Sequence, residues 1–277
     1  MIFQENGLKV LSKNLLKEIY MNEDLRIKIV EMVKRSGEGH IPSSFSIVDI
    51  LDYFYGNVLK VDPKRPKWEK RDYFILSKGH GCGALYSVLH KYKFIRDIDL
   101  IDYSTSKGIL GGHPDTTKVP GIEASTGSLG HGFPMGVGVA LGCKIKKKKN
   151  RVFVLLGDGE CHEGTIWESA NIARNQRLGN LCAVIDWNGS ASQLMPVDDL
   201  PNKWRSFGWD VTVINGHSNK DFKKYLANIK LSMDGIPKVI IAKNIKGKGV
   251  SFLEGHGIWH HKVPNDMELS NIMKELS

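Results

Sequence analysis

The chain has 277 residues, 41% of them hydrophobic and 25% charged, which is the composition of a packed globule and excludes a fibre or a disordered chain. Its apolar runs, such as Val152 to Leu156 and Val239 to Ala242, fall far short of the ~20 residues that span a bilayer, and the opening MIFQENGLKV carries charges where a signal peptide is apolar, so a cytoplasmic protein is expected. The formal charge of +9 is concentrated in KIKKKKNR (144–151), without which 33 basic residues face 30 acidic ones; this points to a solvated helix end and loop, not to a nucleic-acid or membrane surface.

In chain order, Leu15, Leu16, Ile19, Leu25, Ile29 and Val33 mark an N-terminal helical region. Five short runs rich in Val, Ile, Leu and Phe then read as buried strands: Tyr73–Leu76, Val152–Leu156, Leu181–Asp186, Val211–Ile214 and Val239–Ala242. Between them, Ile166, Ala170 and Ala173, and later Phe222, Leu226 and Ile229, follow helical spacing. Continuous apolar strands alternating with helices predict an α/β fold: a mostly parallel sheet with helices on both faces and an N-terminal helical extension, forming a single domain over residues 1–277. Cys82, Cys143, Cys161 and Cys182 match neither zinc-ligand nor redox spacing and are expected as buried or incidental thiols.

Ligands of such sheets bind outside the carboxyl ends of the strands. There, Val152–Leu156 runs into Gly157-Asp158-Gly159-Glu160, and the third strand into Asp186-Trp187-Asn188-Gly189. Adjacent parallel strands would bring Asp158 and Asn188 within reach of one ion. A carboxylate and an amide oxygen are hard ligands suited to magnesium or calcium, and a site with so few protein ligands leaves positions for water and a diphosphate. The same residues also suit a plain strand-to-helix turn, with Asp158 as a cap and Asn188 as a turn residue.

Ten histidines among 29 glycines give about one Gly-His pair by random placement, whereas this chain has six, ending at His40, His80, His113, His131, His217 and His256. Glycine allows close approach to a ligand, and imidazole titrates near neutrality, so several such loops suggest a site that moves protons around a polar substrate. His217 and His256 read more simply as turn or surface residues. Neither a G-x-S-x-G nucleophile elbow nor a phosphate-binding G-x-x-x-x-G-K-[ST] loop is present.

Gly157-Asp158-Gly159 followed by Asn188 resembles the diphosphate and magnesium motif of thiamine diphosphate enzymes. SGEGHIPSS (36–44), RDYFILSKGHGCGALY (71–86), GGHPD (111–115), PGIEASTGSLGHG (120–132), GDGECHEGTIWESANIA (157–173) and WHHKVP (259–264) narrow the likeness to transketolases, in family order. The resemblance implies that Asp158, Asn188 and the Ser190 carbonyl hold magnesium, with calcium as a substitute. It sets Gly159 and Glu160 beside the diphosphate, and Gly127 and Leu129 against the cofactor rings. It further implies that His40, His80, His113 and His261 line a channel for cofactor and substrate, and that Glu163 links two active sites. The implied activity passes a two-carbon ketol unit from a ketose to an aldose, both sugars being phosphorylated in many family members.

Three departures from the family pattern stand out. A full-length transketolase is more than twice this long, and the missing part carries the domain that activates the cofactor's aminopyrimidine. The chain therefore resembles the N-terminal subunit of a split transketolase, inactive without a separate C-terminal subunit; an α2β2 assembly is expected. The stretch after Asn188, which includes Leu194, is longer than usual, and His131 stands where a glutamine is common. Two other readings fit part of this pattern: an alpha-type subunit of a 2-oxo-acid dehydrogenase, and a non-catalytic binding module that retains the fold.

Overall fold

The computed structural model describes residues 22–277 except Leu194, Asn228 and His256. Leu15, Leu16, Ile19, Leu194 and His256, named above, lie outside the described residues. The five predicted strands all form: β1 (Tyr73–Leu76), β2 (Val152–Gly157), β3 (Leu181–Trp187), β4 (Asp210–Asn215) and β5 (Lys238–Lys243). Every pairing is parallel, in the order β1-β2-β3-β5-β4, so all five carboxyl ends open on one rim.

Alternation along the strands divides the core in two. Phe74, Leu76, Phe153, Leu155, Val184 and Ile240 point to one face, where they meet helices α1 (Glu23–Ser36), α2 (Ile41–Phe45), α3 (Val48–Tyr53) and α4 (Cys82–Lys91). Ile75, Val154, Leu156, Ala183, Ile185 and Ile241 point to the other. That face is covered by α5 (Gly132–Ile145), α6 (Gly164–Asn175) and α7 (Leu200–Ser206). Both faces being covered, the inner strands need no polar side, which is why they read as unbroken apolar runs. The described part of the N-terminal helical region is one layer of this core: Leu25, Ile29 and Val33 are all buried, and α1 ends at Gly37 in a left-handed turn.

Ile166, Ala170 and Ala173 are fully buried on α6. Phe222 and Leu226 are buried as well, in a π turn over Phe222–Leu226. The lysine run is the end of α5 and the loop behind it: Lys144 Nζ caps the Gln176 carbonyl at 2.9 Å and pairs with Asp234, and Lys147 takes a left-handed turn. All four cysteines are buried free thiols. Among the described residues no helix is long and apolar enough to cross a membrane.

Candidate active site

The site starts where β2 and β3 end side by side. Gly157 pairs with Asp186, and the Asp158 amide donates to the Asp186 carbonyl at 3.1 Å, so Asp158 and Asn188 leave neighbouring strands at the same level of the rim. Asp158 is 3% exposed. Its Oδ1 accepts from the Gly159 amide at 2.8 Å, while its Oδ2 is buried with no hydrogen-bond partner, the Gly189 amide lying near the carboxylate. Burial, followed by the nearby Asp186, raises the Asp158 pKa. A cation there would offset both effects.

Asn188 is held on both sides. Its Nδ2 donates to Asp186 Oδ2 (2.8 Å) and Ser46 Oγ (3.2 Å), and its Oδ1 accepts from the Ser190 amide at 2.9 Å. Asp186 itself is saturated, by Lys78 Nζ, Ser46 Oγ and Asn244 Nδ2, each at 2.6 Å. The buried Lys78–Asp186 pair therefore neutralises one acid and leaves Asp158 as the unmatched anion. Among the described residues no three His, Cys, Asp or Glu side chains gather to hold a metal. The set predicted here uses one such side chain, an amide and a backbone carbonyl, which suits magnesium.

A second layer consists of imidazoles. The His40 ring lies 4.5 Å from that of His261, 5.4 Å from His80 and 5.4 Å from His260, between ring centroids. His113 is close enough to His40 to perturb it and packs its ring against Gly127. Burial, then the neighbouring His261, His260 and His113, lowers the His40 pKa to about 4; burial, then Lys78, lowers that of His80 to about 2. His40 and His80 are half-buried, whereas His113, His260 and His261 are exposed, so the cluster runs from solvent inward. His261 also meets Glu38 at 3.1 Å. Lys246 joins the two layers: its Nζ donates to Ser190 Oγ at 2.8 Å and lies 2.9 Å from His260 Nδ1, and burial lowers its pKa to about 8.

The remaining predicted residues surround this centre. Glu160 is buried under Ser77, Gly130 and Gly157, all of which donate to it, and burial raises its pKa. Gly127 lies against Gly79, where a Cβ on Gly79 would stand 2.9 Å from the Gly127 nitrogen and the Thr126 carbonyl. Leu129 is half-buried nearby, and Gly159 begins a 3-10 turn after Asp158. Glu163 is exposed at the start of α6, beside Gly130; Ile166 is in the core, and Trp167 packs on Trp204 and Phe207. His131 is exposed at the start of α5. His217 is buried and structural: it bonds Asp49 at 2.9 Å and accepts from the Ile245 amide.

Sequence reasoning missed Ser46, Lys78, Asp186, Asn244, Lys246 and His260. Lys78 and His260 sat inside quoted motifs, so adjacency to His80 and His261 was the available signal. Asp186 was read as strand, and Ser46, Asn244 and Lys246 become visible only once the chain is folded.

Comparison with known proteins agrees with this geometry. Residues 18–276 match the family model of the transketolase thiamine diphosphate binding domain. The chain is 38% identical to an apulose-4-phosphate transketolase subunit of Phocaeicola vulgatus, over 92% of each chain. It is 39% identical to the 6-deoxy-6-sulfo-D-fructose transketolase subunit SqwG of Clostridium sp. strain MSTE9, over 88% of this chain and 90% of that protein. The transketolase from Leishmania mexicana superposes with a TM-score of 0.84 at 25% identity, over 92% of this chain but only 40% of the longer one. These matches favour transketolase over the dehydrogenase and binding-module readings. The chain belongs to the transketolase family and carries its thiamine diphosphate binding domain.

Proposed function

We propose that residues 1–277 form one diphosphate-binding domain that works as the N-terminal subunit of a two-chain, cytoplasmic transketolase, two copies joining two C-terminal subunits in an α2β2 assembly. The enzyme moves a two-carbon ketol unit between anionic sugars, a ketose donor and an aldose acceptor. Relatives named for a sugar phosphate and for a sulfo sugar support that substrate class. The observation that carries the reading is the buried, partnerless Oδ2 of Asp158, which faces the loop of Asn188 from the adjacent strand end.

In this reading Asp158, Asn188 and the Ser190 carbonyl hold magnesium. Gly159 lets the backbone approach the diphosphate, Lys246 supplies positive charge to it, and Glu160 fixes the loop by holding the Gly130 and Gly157 amides. Thiamine diphosphate, when bound, supplies the nucleophilic carbon that carries the transferred unit. Gly127 and Leu129 orient its rings. His40, His80, His113 and His261, with His260 beside them, take up and return protons at sugar hydroxyls as carbon–carbon bonds break and form. The low pKa values of His40 and His80 keep both imidazoles neutral near pH 7, able to accept as well as donate.

Steady-state assay of the purified chain, of its C-terminal partner and of their mixture, with a ketose donor and an aldose acceptor, tests the division of labour. Turnover is expected from the mixture alone, and full turnover by this chain without a partner would overturn the two-chain reading.

A further inference from the structure

At the far end of the sheet from the histidines, the segments that enter β1 and β2 enclose a cavity of about 550 Å³. Its wall contains Lys60, Lys70, Lys148, Lys149 and Arg151, against the acids Glu69 and Asp72. Both acids are engaged: Asp72 is buried against Arg151, and Glu69 faces Lys148 at 3.7 Å. Lys60, Lys70 and Lys149 form no ion pair among the described residues, although the Lys60 ammonium does lie 4.9 Å from the Trp68 ring centroid.

The walls are fixed in place. Asn150, 4% exposed, donates to the Glu69 and Arg71 carbonyls at 2.7 and 2.6 Å, clamping the lysine loop to the segment before β1. Asp72 Oδ2 accepts from the Lys60 amide at 2.8 Å, which adds the third segment. Three unmatched ammonium groups around one concavity repel each other, and a cleft lined by one sign of charge concentrates counter-ions. The volume is that of a small-molecule site. The cations surround a hollow and do not form a stripe along a flat face, so a compact ligand suits them better than a nucleic-acid strand.

We propose that this cavity is an anion site separate from the cofactor site, and that its ligand is a small, multiply charged phosphate compound. The lysine run, which the catalytic site leaves without a role, is one wall of it. The six residues of β2, roughly 20 Å of strand, separate it from Asp158.

Calorimetric titration of the full chain with inorganic tripolyphosphate tests the site, using the wild type, Asp158→Ala, and the triple variant Lys60→Gln, Lys70→Gln, Lys149→Gln. Binding should survive in Asp158→Ala and weaken at least ~10-fold in the triple variant, since each charge-assisted contact is lost there. The triple variant should melt no lower than wild type at low salt, because only repulsion is removed. Should it fail to fold, Lys149→Gln alone is read, with a loss of roughly threefold expected. Absence of tripolyphosphate binding to the wild type, binding lost only in Asp158→Ala, or affinity unchanged in the lysine variants would each overturn the proposal. So would a single-stranded RNA oligomer that binds the wild type more tightly and displaces the tripolyphosphate.

Discussion

At the scale of single residues, the site is a balance of two buried acids, one matched and one not. Asp186 has a lysine, a serine and an amide on its oxygens, whereas Asp158 Oδ2 has nothing. Replacing Asp158 with Ala removes the one free anionic ligand, so affinity for magnesium and thiamine diphosphate should fall at least ~10-fold, about 1.4 kcal/mol, in calorimetric titration of the assembled enzyme. Unchanged affinity would place the metal elsewhere. The imidazoles lead to a pH prediction. His40 titrates at about 4 in the fold, against an ordinary histidine value of about 6.5, so the unfolded chain binds the proton more readily. Its contribution is complete above about pH 6.5 and is lost as the pH falls toward about 4. Melting temperatures of the wild type should therefore drop on acidification from about pH 7 to about pH 5, and His40→Asn should flatten that slope. Parallel curves for the two proteins would count against a proton-excluding His40. Asp158, Asn188 and the histidines were legible in the sequence because glycines and strand ends flag them. Lys78 and Asp186 were not, because the partner that makes each of them tolerable is 108 residues away.

At the scale of elements, the strands were readable to within a residue or so at each end, because burial on both faces leaves an apolar run with polar stops. The sequence did not reveal that β5 lies between β3 and β4, since order depends on helix crossovers and not on local pattern. It also hid the contact between two glycine loops from different parts of the chain. Gly79, in the turn after β1, meets the backbone of Thr126 and Gly127, where no side chain can rotate away. Gly79→Ala should cost about 1–3 kcal/mol in urea unfolding and weaken cofactor binding, because the displaced turn carries His80 and the displaced loop carries Gly127 and Leu129. Gly138→Ala is the matched control: a Cβ there, midway along α5, meets nothing within 4 Å, so the change should be neutral or stabilise by up to ~1 kcal/mol. Similar losses in the two variants would show that helix propensity, not the loop contact, governs the response.

At the scale of the whole molecule, a parallel sheet sends every strand end to one rim, and that rim has an inner and an outer side. The inner side is filled by Asp186, Lys78 and Asn244, whose bonds all close within the chain. The outer side holds Glu163, an exposed carboxylate at the N-terminus of α6. Its side chain makes no cap bond to its own helix, so the fold has little need of it. Its backbone neighbour is Gly130, whose amide is held by Glu160, which couples Glu163 to the loop proposed to embrace the cofactor. In the assembled enzyme proposed above, this is a position from which a carboxylate reaches the next chain. Glu163→Ala should accordingly leave the melting temperature of the isolated chain within ~1 °C of wild type, an exposed substitution with no bond to lose, yet lower turnover of the mixed subunits at least ~10-fold. Equal turnover by variant and wild-type complexes would confine Glu163 to the surface of one chain, whereas a lower melting temperature with normal turnover would make it a helix-capping residue instead.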